Sequence, residues 1–274
     1  MITTQDDRLL RIEIPTLDKD FLLLNELHAS EKLSGLFNFG IELLHEENDD
    51  GHTPTDVDIN SILGQSATIT ITQDDGSTRF FNGIFNSFIK RNRSTRFSFY
   101  TANLVPKIWY LTQNFQSRIF QRKSVEQILE EVFKGFLVSF KIEGEYEERN
   151  YCVQYRESDF AFASRLMEEE GFYYYFEHGE KDHKLIVADT PQSHLDNPSK
   201  SEIDYQVELS SEEGFVSHIR DLEIDFTLNP GGVAFRDRNF QLPDYTLETT
   251  QPSLYQFSNS QTMEIYDFPG GYAR

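Results

Sequence analysis

Between Glu157 and His178 the chain reads ESDFAFASRLMEEEGFYYYFEH, and this run restricts the possible folds more than any other. Its first half has helical spacing. Ser158 can cap the helix, Asp159 places a negative charge in the first turn, and Phe160, Ala163 and Met167 share a face with Phe162 and Leu166 beside them. Gly171 is a natural stop, so the spacing predicts a helix over 159–170. The period then changes to two, with Phe172, Tyr174 and Phe176 on one side and Tyr173 and Tyr175 on the other. A strand that is aromatic on both faces needs a cover on both faces. It is either a central strand within one subunit or, because tyrosine favours protein contacts, a strand that meets a partner.

The end of that helix breaks a local rule. Glu168, Glu169 and Glu170 put three anions at the negative pole of the helix dipole, at about 0.3–1 kcal/mol each if exposed. Arg165 can reach Glu168 and Glu169 at i+3 and i+4, but one guanidinium cannot neutralise three carboxylates. Further cations are therefore expected, from Arg118 or Arg156 in the same chain or from a neighbouring subunit. A carboxylate-pair hydrolase is the competing reading. Consecutive helical residues point ~100° apart, however, and do not converge on one bond.

The surrounding sequence is mostly strand. In SATITIT, Ala67, Ile69 and Ile71 alternate with Thr68, Thr70 and Thr72, and Asp75-Gly76 supplies a tight turn. RFFNGIFNSFI, a polar turn KRNRST and RFSFYTA continue an antiparallel meander, which predicts a small barrel or a strongly curled sheet over 1–105 with Pro106 as its exit. Ser124 to Gln127 reads as a capping box, and Val125, Ile128, Leu129, Val132 and Phe133 fall on one helical stripe, predicting a helix at about 125–134 with Gly135 as its stop. FLVSFKI, YCVQYR and HKLIVAD read as strands, with EGEYEERN a charged turn. Past the polar link TPQSHLDNPSKSEIDYQ, Val216, His218, Ile224 and Phe226 suggest a new strand pair, and VAFRDRNFQL another strand.

Composition narrows the function. Lys plus Arg total 25 against 46 Asp plus Glu, a net charge of −21, which repels nucleic acid and anionic membrane surfaces. MITTQDDRLL has no cationic start followed by an apolar run and no later stretch approaches ~20 apolar residues, so the chain is expected to be made in the cytosol. Cys152 is the only cysteine, which excludes an intrachain disulfide. The loop from Glu46 has calcium-loop spacing at first but carries Val57 where a bidentate glutamate is required. His178 and His183 flank a hairpin turn, GEKD, and are a poor metal site by themselves. Nucleophile-elbow, P-loop and dinucleotide patterns are absent, so the reading is of a non-enzyme without cofactor or metal.

YCVQYRESDFAFASRLMEEEGFYYYFEH resembles the signature of the VgrG proteins, the spike of the type VI secretion system. LSGLFNF, LGQ, FNGIF, VPKIWYLT, SRIFQ, FRDRNF and YDFPGGY agree in the same order. The resemblance implies a mainly β structural protein with tail-tube-like antiparallel barrels and an α/β insertion, similar to the baseplate hub of contractile phages. It implies a first barrel at 1–105, an insertion at 106–212, and the start of a second barrel with a return toward the insertion at 213–274. It also implies a homotrimer that caps a hexameric Hcp-like tube, meets baseplate proteins and effector cargo or adaptors, and is cytoplasmic until sheath contraction translocates it. A contractile phage hub is the nearest alternative. Members of that family continue past YDFPGGY, so the chain is expected to be an N-terminal part. The motif nominates Arg118, Phe120, Gln121, Gln154, Tyr155, Arg156, Glu157, Asp159, Arg165, Glu168, Glu169, Glu170, Gly171, Tyr173 and Tyr175 as structural or interface residues.

Overall fold

The computed structural model describes residues 3–47, 57–73, 76–193, 202–203, 205, 219, 221–255 and 257–270. The chain divides into two compact units, 1–201 and 202–274. In the first, β1 (Leu10–Glu13), β2 (Leu23–Ser30), β3 (Asn38–Glu46), β4 (Ser66–Thr72), β5 (Thr78–Arg93) and β6 (Phe97–Val105) form one antiparallel sheet in the order β1-β4-β5-β6-β3-β2. The predicted meander is its centre, β4-β5-β6. Alternate residues turn inward, among them Phe39, Ile41 and Leu43 from β3, Ala67 and Ile69 from β4, and Tyr100, Ala102 and Leu104 from β6. Bulges between Phe85 and Ser87 and between Lys90 and Arg93 add the curvature that this closure requires.

The sheet curls until its edge strands meet, and a side chain completes the seam. Buried Gln5 accepts from the amides of Ile12 and Leu24 (both 3.0 Å) and donates to the carbonyls of Ile12 (3.2 Å) and Leu22 (3.4 Å). Its carboxamide thus stands in for a short piece of strand between β1 and β2. The glycine of FNGIF has an equally local reason. A Cβ on Gly83 would sit 3.1 Å from both the Leu104 Cβ and the Val105 carbonyl oxygen, so only glycine lets β5 approach β6 that closely.

After Pro106, a turn of 3₁₀ helix at Lys107–Trp109 leads into α1 (Tyr110–Gln113), a short helix that the sequence pattern did not predict. There follow β7 (Phe115–Phe120), α2 (Val125–Val132), β8 (Val138–Lys141), β9 (Cys152–Ser158), α3 (Asp159–Glu170), β10 (Tyr173–His178) and β11 (His183–Ala188). The Ser124–Gln127 capping box forms as expected. α2 stops at Val132, two residues early, and Gly135 takes a φ of 92° just beyond it. β10, β11 and β8 make one sheet with β8 parallel to β11, while β7 and β9 form a separate antiparallel ribbon. The apolar stripes of α2 and α3 pack with Phe172, Tyr174, Leu185 and Val187 into a second core. Phe176 packs against both this core and that of the curled sheet.

Two expectations are corrected in these regions. Lys90 to Arg93 belong to β5, and the turn contracts to residues 94–96, where the Ser94 amide donates to the Phe97 carbonyl at 2.8 Å. In the second unit, β12 (Gly232–Asp237), β13 (Leu247–Pro252) and β14 (Glu264–Asp267) form a sheet in the order β13-β12-β14. Residues 221–230 form no strand, although Ile224 and Phe226 alternate with acidic neighbours. A period of two fixes which side chains share a face, but a strand also needs a neighbour to pair with. Val216, His218, Asp75 and most of the loop after Glu46 lie outside the described residues.

Candidate functional site

The site is built on α3 and the elements that touch its two ends. At the C-terminal end Gly171 takes a φ of 76°, and its amide and that of Phe172 bond to the carbonyls of Glu168 and Met167. The missing cation is Arg149. Its guanidinium, only 9% exposed, bonds to the carboxylates of both Glu169 and Glu170. Arg149 is held there by a backbone bridge to Lys123, with its amide donating to the Lys123 carbonyl at 2.8 Å. Arg165 bonds to Glu169 at 3.1 Å and to Glu157 at 2.7 Å. Burial raises the pKa of Glu169, but hydrogen bonds and charge from Arg149 and then Arg165 outweigh it and hold the carboxyl below its usual range.

Arg118 and Arg156 were the expected partners, and neither takes that role. Arg118 lies at the other end of the helix, donating to Asp159 at 2.6 Å and Gln154 at 2.9 Å. Gln154, fully buried, donates to Asp159 at 2.8 Å and to the Glu157 carbonyl at 3.1 Å, and Asn114 adds a bond to Asp159 at 3.3 Å. The Asp159 carboxylate is thus satisfied at the positive pole of α3, with Ser158 capping the Ala161 amide. Phe120 stacks on Phe162 at 5.6 Å beneath the ribbon. Arg156 instead lies over the ring of exposed Tyr155, 5.1 Å from its centroid. Gln121 and Glu168 are exposed, and nothing in the structure gives the Gln121 side chain a role.

The aromatic strand is covered mainly from within the subunit. Phe172 and Tyr174 are buried, and burial pushes the Tyr174 phenol up to about 12. On the other face Tyr173 and Tyr175 are half-buried, stacked at 6.5 Å, with Tyr173 donating to the Thr190 carbonyl and Lys141 donating to Tyr175. The hairpin histidines join this sheet to the curled one. His178 accepts from the Asn82 amide at 3.1 Å and meets Glu31 at 2.9 Å. His183 accepts from the Lys107 amide and donates to the Asn82 side chain, both at 2.8 Å. All four ring nitrogens are therefore committed to this junction.

Chemically, the site is a set of paired ions. The carboxylates of Asp159, Glu157, Glu169 and Glu170 each face a guanidinium. General acid–base catalysis calls for a carboxyl tuned toward neutrality, and Glu169 is displaced the opposite way. The arrangement suits rigid positioning of β9, α3 and β10. Sequence reasoning found both helix ends but missed Arg149, which stands in an acidic turn twenty residues from its partners.

The chain matches the family of phage tail baseplate hub (GPD) proteins over residues 30–274. It belongs to that family. This hub chain is 31% identical over its whole length to the type VI secretion system spike protein VgrG1b of Pseudomonas aeruginosa, of which it covers 36%. It is 32% identical over 97% of its length to VgrG1a of the same organism, covering 40% of that protein. The hub chain thus spans well under half the length of these relatives. In fold it is similar to the Escherichia coli c3393 protein, a type VI secretion component described as resembling the T4 tail proteins gp27 and gp5. That likeness has a TM-score of 0.58 and 23% identity, and covers 68% of the hub chain and 50% of the other. Among the described residues no helix is long and apolar enough to cross a membrane.

Proposed function

We propose that this chain is the hub portion of a type VI secretion spike, which caps the Hcp tube as a trimer and is driven with it through a target envelope when the sheath contracts. The observation that carries this reading is the 31–32% identity to VgrG spike proteins across nearly every residue, within a hub-family match to residues 30–274. In this reading residues 1–105 are the first tube-like barrel and 106–212 the insertion, stiffened by the Arg149 and Asp159 networks. Residues 213–274 begin a second barrel. Three subunits then present six barrel-like units to a six-fold tube.

The protein's part is mechanical. It transmits force and carries effectors or their adaptors, while the sheath supplies the energy. It waits in the cytoplasm and leaves with the tube. A contractile phage hub would work by the same mechanism on a different tube. Electron microscopy of the complete spike mixed with Hcp tubes tests the reading: density capping tube ends is expected, and tubes with bare ends at saturating spike would refute it.

A further inference from the structure

The β7–β9 ribbon carries a surface that the packing of α3 does not use. Its inner face holds Phe120, Cys152 and Gln154, all buried. Its outer face is a row of exposed apolar side chains, with Phe115 66%, Ile119 59% and Tyr155 64% exposed and Tyr151 and Val153 beside them. The register makes the row contiguous, because Ile119 faces Val153 directly and Ser117 faces Tyr155. A two-stranded ribbon has open edges. Arg165 occupies part of the β9 side by donating to the Val153 carbonyl, whereas the outer edge of β7 meets no strand among the described residues.

Charge around the row is opposite to that of the chain. Residues 114–123 and 149–158 contain Arg118, Arg122, Lys123, Arg149 and Arg156 against one carboxylate, Glu157, which is paired with Arg165, in a chain of net charge −21. Arg118, Lys123 and Arg149 are spent on ion pairs within the fold. Arg122 and Arg156 form no ion pair among the described residues, and each adopts a φ of 52°, which L side chains rarely take. Arg156 is the extra residue of a bulge, where the register slips between Gln116 and Ser117. One unpaired cation thus stands near each end of the apolar row, about 17–20 Å apart at strand spacing.

We propose that this ribbon is a docking face for an acidic extended segment of another protein. The segment adds to the free edge of β7, lays alternate apolar side chains on Phe115, Ile119 and Tyr155, and places carboxylates on Arg122 and Arg156. Nucleic acid and anionic lipid match the two guanidiniums but not the apolar row, and both are repelled by the rest of the chain. The assay is fluorescence anisotropy with a labelled synthetic peptide alternating glutamate with valine and isoleucine over eight residues. The same peptide with lysine for glutamate is the control.

The acidic peptide is expected to bind, with salt weakening it, and the lysine peptide to bind about tenfold less tightly. Arg122→Glu with Arg156→Glu, and separately Ile119→Asp, are each expected to weaken binding about fivefold to tenfold while the melting temperature holds, since these side chains are exposed. Absence of binding, equal binding of the two peptides, or indifference to both variants would overturn the proposal. So would self-association, measured by light scattering, that these variants abolish, because a second copy would then own the face.

Discussion

Replacing Arg149 by methionine removes the buried cation that meets Glu169 and Glu170 at the end of α3. Methionine keeps most of the packing volume, so the change isolates the charge. The Arg149 side chain is 9% exposed, Glu170 19% and Glu169 40%. Breaking a buried pair costs about 3–5 kcal/mol, but Glu169 keeps Arg165 and part of its hydration, which lowers the expected loss to about 2–3 kcal/mol. For a unit of this size that corresponds to a fall in Tm of about 4–12 °C at pH 7.

The pH dependence gives a second handle on the same pair. Because the folded pKa of Glu169 lies below the unfolded value, its contribution is present above the unfolded pKa, about 4.3, and is lost as pH falls through the folded one. The difference in Tm between wild type and Arg149→Met should therefore narrow in acid. Adding Glu169→Gln and Glu170→Gln to Arg149→Met should recover most of the loss, while Glu169→Lys or Glu170→Lys alone should destabilise the fold. Differential scanning calorimetry from pH 7 to 3 reads all of these. A Tm within about 2 °C of wild type at pH 7, or a deficit independent of pH, would show that Arg149 does not stabilise the end of α3 through these carboxylates.

Three further outcomes are expected. Gln5→Leu deprives the Ile12 and Leu24 amides of their acceptor at the seam and should cost about 2–4 kcal/mol in urea unfolding, whereas a loss under about 0.5 kcal/mol would show that water closes the seam equally well. His183 is held down to about 4 by burial and by the charges of His178 and Lys107, so the unfolded chain binds the extra proton between pH 6.5 and 4. Stability should fall with pH across that window by at most ~1.4 kcal/mol per unit from this group, and His183→Gln should flatten that slope in urea titrations. Gly171→Ala meets no steric obstacle but must hold a φ of 76°, so thermal melts should show a loss of about 1 kcal/mol, and an unchanged Tm would contradict it.

What could be read in advance depended on how local its cause was. The caps of α2 and α3 were legible because Ser124, Gln127, Ser158 and Gly171 act within one helical turn of themselves. The β4–β6 meander was legible because alternation survives in each strand separately. Arg149 was not, since its neighbours in EGEYEERN are mostly acidic and its partners arrive only when β9 and α3 fold back on it. The continuation of β5 through Lys90–Arg93 was hidden because those side chains are exposed where the strand runs beyond the core, and so read as a turn. The seam closed by Gln5 depends on two strands and a loop meeting, which no short window contains. Of the nominated site residues, those around Asp159 converge, while Tyr155, Arg156 and Gln121 face outward.

The hub role proposed above requires three copies of the complete protein to assemble. The most direct test joins residues 1–274 in register to the remaining length of VgrG1b and determines the absolute mass in solution by light scattering coupled to size exclusion. A mass three times that of the joined chain is predicted. A monomer that keeps its cooperative thermal unfolding would contradict the account.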